Sequence, residues 1–263
     1  MDTLSDMWGT IYHYMRGGIG DHNISEGGKD CFNYSTLQFR ASVSIPIILF
    51  HSYMLYTWYQ KNKSTLSKVV KKAPAPPTKL ETLLGIFTLI CMIYQISLKM
   101  NSRKMIFLLN PCHFITLAQI YVLLSSNSLR VTSTFLFVMS GLFGPLIALV
   151  IPVTDGFPTA ADVFMYWFQH ILIIAVNPFA MVFSHRFNDS FLRTNRTWYA
   201  AANFWGAYFR VVLWFVGELT WVNMNFLNCP SVKDPFARVV GKWYLVMGEA
   251  YLLGVSYLAW WII

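Results

Sequence analysis

Residues Asn110 to His113 place a nucleophilic thiol and an imidazole side by side at a predicted helix start. Asn is a favoured helix N-cap and Pro is favoured at the first helical position, so this order predicts a helix that begins at Pro111. Backbone N–H groups and the positive end of the helix dipole would then favour the thiolate of Cys112, the nucleophilic form. Cys112 is therefore a candidate catalytic nucleophile. The alternative is a free cysteine buried in a core.

The rest of the chain predicts how these residues are positioned. Its 263 residues are 56% hydrophobic and only 12% charged, about half the charge of a soluble domain. Several apolar runs reach the ~20 residues needed to cross a bilayer. We predict an all-α polytopic membrane bundle, a single integral membrane domain over residues 1–263, with about seven spans. The predicted spans are residues 41–59, 81–98, 105–126, 131–152, 162–184, 199–221 and 243–263.

Basic residues lie at the ends of the spans rather than on one soluble face. The net charge of +8 is therefore no sign of nucleic-acid binding, and we expect membrane lipids as partners. Seven spans put the basic, proline-rich loop 60–80 on the same side as the loop 184–196, and the positive-inside rule makes that side cytosolic. The N-terminal segment 1–40 and the loop 221–242 would then be lumenal. Three basic residues on the predicted lumenal side are exceptions to this rule: Lys99, Arg103 and Lys104.

Ionisable residues inside membrane spans are costly, so each one is a candidate functional residue. Counted along the predicted spans at about 1.5 Å per residue, these groups share one slab about 15 Å thick in the lumenal half of the bilayer. They are Cys112, His113, His170, Arg210, Glu218 and Glu249, with the polar but non-ionisable Gln169 beside His170. We therefore predict a shared polar cavity.

Several of these residues also have structural interpretations. His51, in the first span, is expected to hydrogen-bond a neighbouring helix, and His170 could do the same. Arg210 could form an ion pair with either Glu249 or Glu218.

Cys31 and Cys229 both fall in predicted lumenal segments, where a disulfide can form and persist. The alternative is two unpaired thiols, because sequence does not fix their distance. The chain has no glycine-rich phosphate loop, no Cys-x-x-Cys pair and no cluster spaced for metal ligation. We expect neither a cofactor nor a metal.

Four blocks of the sequence resemble the transmembrane protein 164 family, multi-pass membrane proteins described as cysteine-dependent phospholipid acyltransferases. The blocks are Gly27–Cys31 with Ser35 and Gln38, Ile106–His113, Gln169–Ile171, and Val222–Asn225 followed by Cys229-Pro230 and Asp234–Phe236. The resemblance implies that Cys112 is the catalytic cysteine and that the protein resides in the endoplasmic reticulum. It also implies transfer of a fatty acyl chain, polyunsaturated by resemblance, between phospholipids, with ether-linked ethanolamine lysolipids as acceptors.

The expected reaction has two steps. The Cys112 thiolate takes the acyl chain from a donor phospholipid as a thioester, and the hydroxyl of a lysophospholipid then attacks that thioester. The hydroxyl needs a general base. His113 projects about 100° away from Cys112 on the same helix, which favours His170 as the base, although both imidazoles stay candidates.

The other predicted site residues would contact substrate. Asn110 or free backbone N–H groups would stabilise the oxyanion, and Arg210, Lys104 and Arg103 are candidates for the phosphate. Glu218, Glu249 and Asn223 complete the predicted set. Two other functions fit the same residues. A lipid hydrolase would use water in place of the acceptor alcohol, and a channel or transporter would line its pathway with the intramembrane polar groups.

Overall fold

A computed structural model describes residues 2–20, 24–66, 75–187, 197–232, 234 and 236–262 of the chain. These residues form helices and connecting turns, and no strand occurs among them; an isolated antiparallel bridge joins Gly27 to Val222. The predicted all-α class is confirmed.

The described residues form thirteen α-helices, numbered in chain order, with 3₁₀ and π turns between them. They are α1 (Asp2–Arg16), α2 (Gly28–Phe32), α3 (Leu37–Leu66), α4 (Lys79–Asn101), a 3₁₀ turn (Met105–Leu109), α5 (Pro111–Leu124), α6 (Leu129–Ser140), α7 (Phe143–Val150), α8 (Ala160–Ile171), a π turn (Leu172–Val176), α9 (Asn177–Phe183), α10 (Thr197–Tyr208), a second π turn (Phe209–Trp214), α11 (Phe215–Thr220), a 3₁₀ turn (Met224–Phe226), α12 (Ala237–Val240), a 3₁₀ turn (Gly241–Trp243) and α13 (Tyr244–Ile262).

Among the described residues, three helical segments are long and apolar enough to cross a membrane: Lys79–Asn101, Leu129–Val150 and Ala160–Phe183. The predicted third span, 105–126, is not one continuous helix. Asn110 has extended backbone (φ −64°, ψ 144°), as a residue before proline favours, so the chain forms a 3₁₀ turn and then the 14-residue α5. The first residues of the predicted loop 60–80 are helical, because α3 continues to Leu66.

The hydrophobic core lies between α5, α6, α7, α10 and α13. Phe135, Phe143 and Trp205 are almost fully buried in it, and Ile115 and Leu252 pack into the same cluster. This packing fixes α5, and with it the first turn that carries Cys112, against the helices on either side.

One end of the bundle is closed by the ion pair between Glu81 and Arg186. Glu81, whose side chain is 0% exposed, belongs to the capping box that starts α4 with Thr78. Arg186 donates to both Glu81 carboxylate oxygens and to the carbonyl oxygens of Val122 and Ser125 at the end of α5. The ion pair therefore ties the start of α4 to the end of α5.

At the opposite end, the N-terminal segment is joined to the loop before α12. Cys31 and Cys229 form a disulfide with an S–S distance of 2.07 Å, so the predicted pair is bonded rather than free. The Asn223 amide donates to the Cys229 carbonyl (3.0 Å) and to the Ile24 carbonyl (3.3 Å). Gly27 has φ +139°, and an added Cβ would lie 2.3 Å from the Trp221 carbonyl oxygen, so this close approach requires glycine.

Candidate active site

A cavity of about 380 Å³ lies beside the first turn of α5. Its walls come mainly from α4, α5, α7, α8 and α13, and from the segments around residues 25, 209 and 223–236. Much of the lining is apolar, from residues such as Ile147, Ile151, Phe209 and Leu252. The predicted site residues that line it are Asn110, Cys112, His113, His170, Arg210, Asn223 and Glu249. The sequence predicted a shared polar cavity, and the structure places these seven residues around a single cavity.

The helix that carries the thiol begins at Pro111, as predicted, but Asn110 does not cap it with its side chain. The backbone carbonyl of Asn110 accepts the N–H of His113 at 3.0 Å. The side-chain Oδ1 is buried and has no hydrogen-bond partner among the residues that the structure describes. Asn110 is therefore the N-cap residue, as predicted, but its side chain lines the cavity and makes no hydrogen bond to the helix.

Cys112 has an electropositive neighbourhood. The backbone N–H groups of Cys112 and His113 lie close to Sγ, and the ammonium group of Lys99 interacts with the thiol electrostatically. Within the described parts of the chain, Sγ makes no hydrogen bond to either imidazole. These N–H groups and the cation favour the thiolate, but burial of the thiol favours its neutral form more strongly, so ionisation of Sγ requires a base.

Lys99, in the last turn of α4, is a site residue that sequence reasoning missed. Its side chain is 91% buried, and Nζ lies 4.8 Å from the centre of the Phe157 ring. It also feels the charge of Asp162, yet none of the described carboxylates approaches Nζ within ion-pair distance. The sequence contained one signal for it: the predicted topology places this cation on the lumenal side, where the positive-inside rule disfavours basic residues.

The protonation of His113 follows from a chain of buried hydrogen bonds. The only hydroxyl hydrogen of Thr116 goes to the Cys112 carbonyl (2.8 Å), so Thr116 Oγ1 must accept from the Gln169 amide (2.7 Å). The Gln169 atom at that position is therefore its NH₂ group, which also lies 3.2 Å from His113 Nδ1. Gln169 Oε1 accepts in turn from Gln95 at 2.7 Å. Neutral His113 thus accepts at Nδ1 and carries its proton on Nε2, as a donor.

His170 has the opposite tautomer. Its Nδ1 lies 2.6 Å from the carbonyl oxygen of Tyr166, which can only accept, so Nδ1 carries the proton. The Tyr166 ring packs 4.3 Å from the imidazole, and its hydroxyl donates to the Ala148 carbonyl. In neutral His170 the lone pair is therefore on Nε2, the form that a general base requires.

Arg210 and Glu249 pair across the cavity wall. Glu249 Oε1 accepts from Arg210 Nε (2.9 Å) and Nη2 (2.6 Å), which is one of the two pairings considered from sequence. The other Glu249 oxygen lies 3.2 Å from His51 Nε2, and His51 Nδ1 bonds Asn203 at 3.0 Å. The prediction that His51 hydrogen-bonds a neighbouring helix is confirmed. Arg210 Nη1 is buried and has no partner among the described residues.

Three predicted substrate-binding residues do not reach the cavity. Glu218 pairs with Arg40 at 2.6 Å, and Lys104 pairs with Glu26 at 2.5 Å. Burial raises the pKa of the Glu26 carboxyl, while the Lys104 ammonium acts in the opposite direction. Arg103 is in the turn after α4 with φ +56°. The partners of Glu218 and Lys104 come from the N-terminal region, far away in sequence.

Asn223 lines the cavity, but its amide already bonds the disulfide loop: Oδ1 accepts the N–H of Asn228 at 3.2 Å, and Nδ2 donates to Cys229. It shapes the cavity wall and has little capacity left for substrate.

Together, the fold and site describe an all-helical membrane protein in which a free cysteine and two imidazoles line one cavity. The sequence model of the TMEM164 family matches residues 33–260, nearly the whole chain, and the protein belongs to this family. No solved structure matches it.

Proposed function

We propose that this protein is a membrane-embedded O-acyltransferase that moves a fatty acyl chain from a donor phospholipid to a lysophospholipid through an acyl-thioester on Cys112. The observation that carries the proposal is Cys112 in the first turn of α5, on the wall of a cavity that it shares with two imidazoles of opposite tautomer. The apolar part of the lining suits acyl chains, and the polar part suits a headgroup and a reacting ester.

The first half of the reaction forms the thioester. His170 Nε2 takes the proton of the Cys112 thiol, and Sγ attacks the ester carbonyl carbon of the donor. A C–S bond forms, the ester C–O bond breaks, and His170 returns the proton to the leaving lysophospholipid oxygen. The Nε2–H of His113 donates to the carbonyl oxygen while it carries negative charge.

The second half reverses these roles with a different alcohol. His170 takes the proton of the acceptor hydroxyl, and the hydroxyl oxygen attacks the thioester carbon. The C–S bond breaks, and the proton passes to the departing Cys112 sulfur. No cofactor enters either half, because the thioester preserves the activation of the donor ester.

The proposal includes a membrane arrangement. We propose seven spans, with the N-terminal segment and the loop 221–242 on the lumenal side and the protein in the endoplasmic reticulum. The Cys31–Cys229 disulfide supports a lumenal location for the segments that it joins, since disulfides persist in that compartment. The cavity would then open towards lipids of the lumenal leaflet.

The test compares two free cysteines in one assay. Purified protein in liposomes receives a phosphatidylcholine with a polyunsaturated chain as donor and an ether-linked lysophosphatidylethanolamine as acceptor. We expect Cys112→Ser to abolish transfer. Cys91→Ser is the matched control, because Cys91 is the other free cysteine of the described chain and does not line the cavity.

The same assay separates the other two functions. Free fatty acid as the main product in the presence of lysophospholipid would indicate a hydrolase. Solute flux that survives alkylation of Cys112, without any acyl transfer, would indicate a channel or transporter. Ordinary transfer by Cys112→Ser would remove Cys112 as the nucleophile.

A further inference from the structure

Arg210 is a buried cation of the cavity wall that keeps one unused donor nitrogen. Its side chain is 99% buried, yet both of its nitrogens with partners donate to a single oxygen, Oε1 of Glu249. The third nitrogen, Nη1, has no partner within the described residues. Buried guanidinium groups nearly always use all of their donors, so this free donor indicates that a ligand completes the site.

The surrounding residues fix the orientation of Arg210. Glu249 is itself held by His51, and His51 is held by Asn203, so the network joins α3, α10 and α13. Gly206 makes room for the imidazole, because an added Cβ there would lie 2.3 Å from His51 Nε2. Arg210 also lies in a π turn, a distortion that is frequent at functional sites. The free donor is therefore preorganised.

The chemistry of the cavity wall limits the classes of ligand that can bind there. A guanidinium N–H that lacks an acceptor favours an anionic oxygen, and phosphate matches its geometry well. Lys99 adds a second buried cation to the same cavity, and the apolar walls suit an acyl chain. An amphiphile that carries an anionic phosphodiester fits all three features, and a neutral glyceride fits only the last.

We propose that Arg210 binds a phosphate oxygen of the lipid substrate through Nη1 and thereby makes the cavity selective for phospholipids over neutral glycerides. This inference rests on the proposed function, since it concerns the lipid that occupies the same cavity. Glu249 and His51 act as positioning residues that hold the guanidinium in place.

The chain offers a matched control pair in Arg40 and Glu218. Their side chains are 3% and 14% exposed, against 1% and 13% for Arg210 and Glu249. All three Arg40 nitrogens have partners, since Nη1 donates to the carbonyls of Phe32 and Ser35. Arg40 and Glu218 do not line the cavity. Removing this pair alters a buried ion pair without touching the proposed phosphate site.

The experiment measures binding in a Cys112→Ala background, where no turnover occurs. Purified protein in a maltoside detergent is titrated with 1-oleoyl-lysophosphatidylcholine and with 1-oleoylglycerol, which have the same acyl chain. We expect Arg210→Gln/Glu249→Gln to weaken lysophosphatidylcholine binding about 10- to 100-fold, the value of a hydrogen bond to a charged group. Affinity for 1-oleoylglycerol should stay unchanged, and Arg40→Gln/Glu218→Gln should keep the preference for phosphate.

Three results would overturn the proposal: a preserved preference in the Arg210 double variant, an equal loss in the Arg40 double variant, or an equal response to inorganic phosphate alone. The last would mean that a free anion, rather than a lipid headgroup, fills the site. If the Arg210 double variant does not fold, Arg210→Lys replaces it. Its ammonium keeps a counter-ion for Glu249 but leaves no donor at the position of Nη1, so we expect the same selective loss.

Failure of this inference is distinguishable from failure of acyl transfer. Binding selectivity is measured without the thiol, whereas the proposed reaction is measured as transfer by the wild-type chain. Transfer with no Arg210-dependent selectivity would overturn the phosphate site alone.

Discussion

Two buried arginines, Arg186 at the start of α4 and Arg210 at the cavity, differ in how many of their donors have acceptors. Arg186 pairs with Glu81 near the start of α4, and all three of its nitrogens have acceptors. Arg210 pairs with Glu249 at the cavity, and its Nη1 has none within the described chain. The first arrangement holds helix ends together. The second holds the Nη1 donor of Arg210 in position for an acceptor that the described residues do not supply.

The same contrast extends along α4. Glu81 near its start is paired, whereas Lys99, about 27 Å away in its last turn, has aromatic neighbours and no carboxylate within ion-pair distance in the described residues. Asn110 Oδ1 is a further buried atom at the cavity without a partner there. Native proteins leave few buried polar groups unpaired, and Gln95 Oε1, Asn110 Oδ1 and Arg210 Nη1 bring three of them to this cavity, although Trp205 Nε1 and Asn228 Oδ1 are unpaired elsewhere in the described chain.

The largest expected effect on catalysis at the cavity end, short of removing the thiol, comes from His170→Gln. Loss of a general base lowers transfer by about 10²- to 10⁴-fold. The measurement is the transfer rate in liposomes, with the exposed His185→Gln as control, because His185 does not line the cavity. A mild effect of His170→Gln beside a severe effect of a His113 variant would reverse the two roles.

Glu81→Gln tests whether the ion pair between Glu81 and Arg186 serves stability rather than catalysis. It leaves the buried Arg186 without its counter-ion, which costs about 3–5 kcal/mol of stability. We expect thermal unfolding in detergent at a lower temperature, with the transfer rate per folded molecule unchanged. Slower transfer by the remaining folded protein would mean that the two ends are coupled and that the comparison is too simple.

His113→Phe removes the proposed oxyanion donor. The expected loss is about 10²- to 10³-fold in transfer, the usual value for one such donor. Binding of lysophosphatidylcholine should be nearly unchanged, because the donor acts on charge that develops during the reaction. An unchanged transfer rate would exclude His113 from the chemistry.

The smallest effect concerns Gln169, which fixes the His113 tautomer. Gln169→Leu removes one hydrogen bond to the imidazole and should lower transfer about threefold to tenfold. Gln169→Glu should be worse although it is closer in shape, because a carboxylate accepts from Nδ1 and moves the proton off Nε2. The ¹⁵N chemical shifts of His113 report this change directly. A Glu variant as active as wild type would contradict the tautomer assignment.

Local patterns predicted the parts of the site that depend on neighbouring residues. The order Asn-Pro predicted a helix start at Pro111, because a proline that lacks its N–H fits the first turn. Counting residues along the predicted spans placed Cys112, His170 and Arg210 at a similar depth, because helices rise by a constant amount per residue.

The positions of the other site residues could not be predicted, because they depend on contacts between residues that are far apart in the sequence. Lys104 was predicted at the phosphate but pairs with Glu26, which is 78 residues earlier in the chain. Glu218 pairs with Arg40 across 178 residues. The long side chain of Lys99 reaches the cavity from the last turn of α4, where its sequence position alone suggested a membrane flank.

Intact-protein mass spectrometry after incubation with the donor phospholipid detects the proposed acyl-Cys112 intermediate itself. We expect a mass increase of one acyl group that hydroxylamine removes, that is lost on adding lysophospholipid and that Cys91→Ser retains. Acyl transfer that proceeds with no such adduct, or an adduct that persists in Cys112→Ala, would contradict this intermediate.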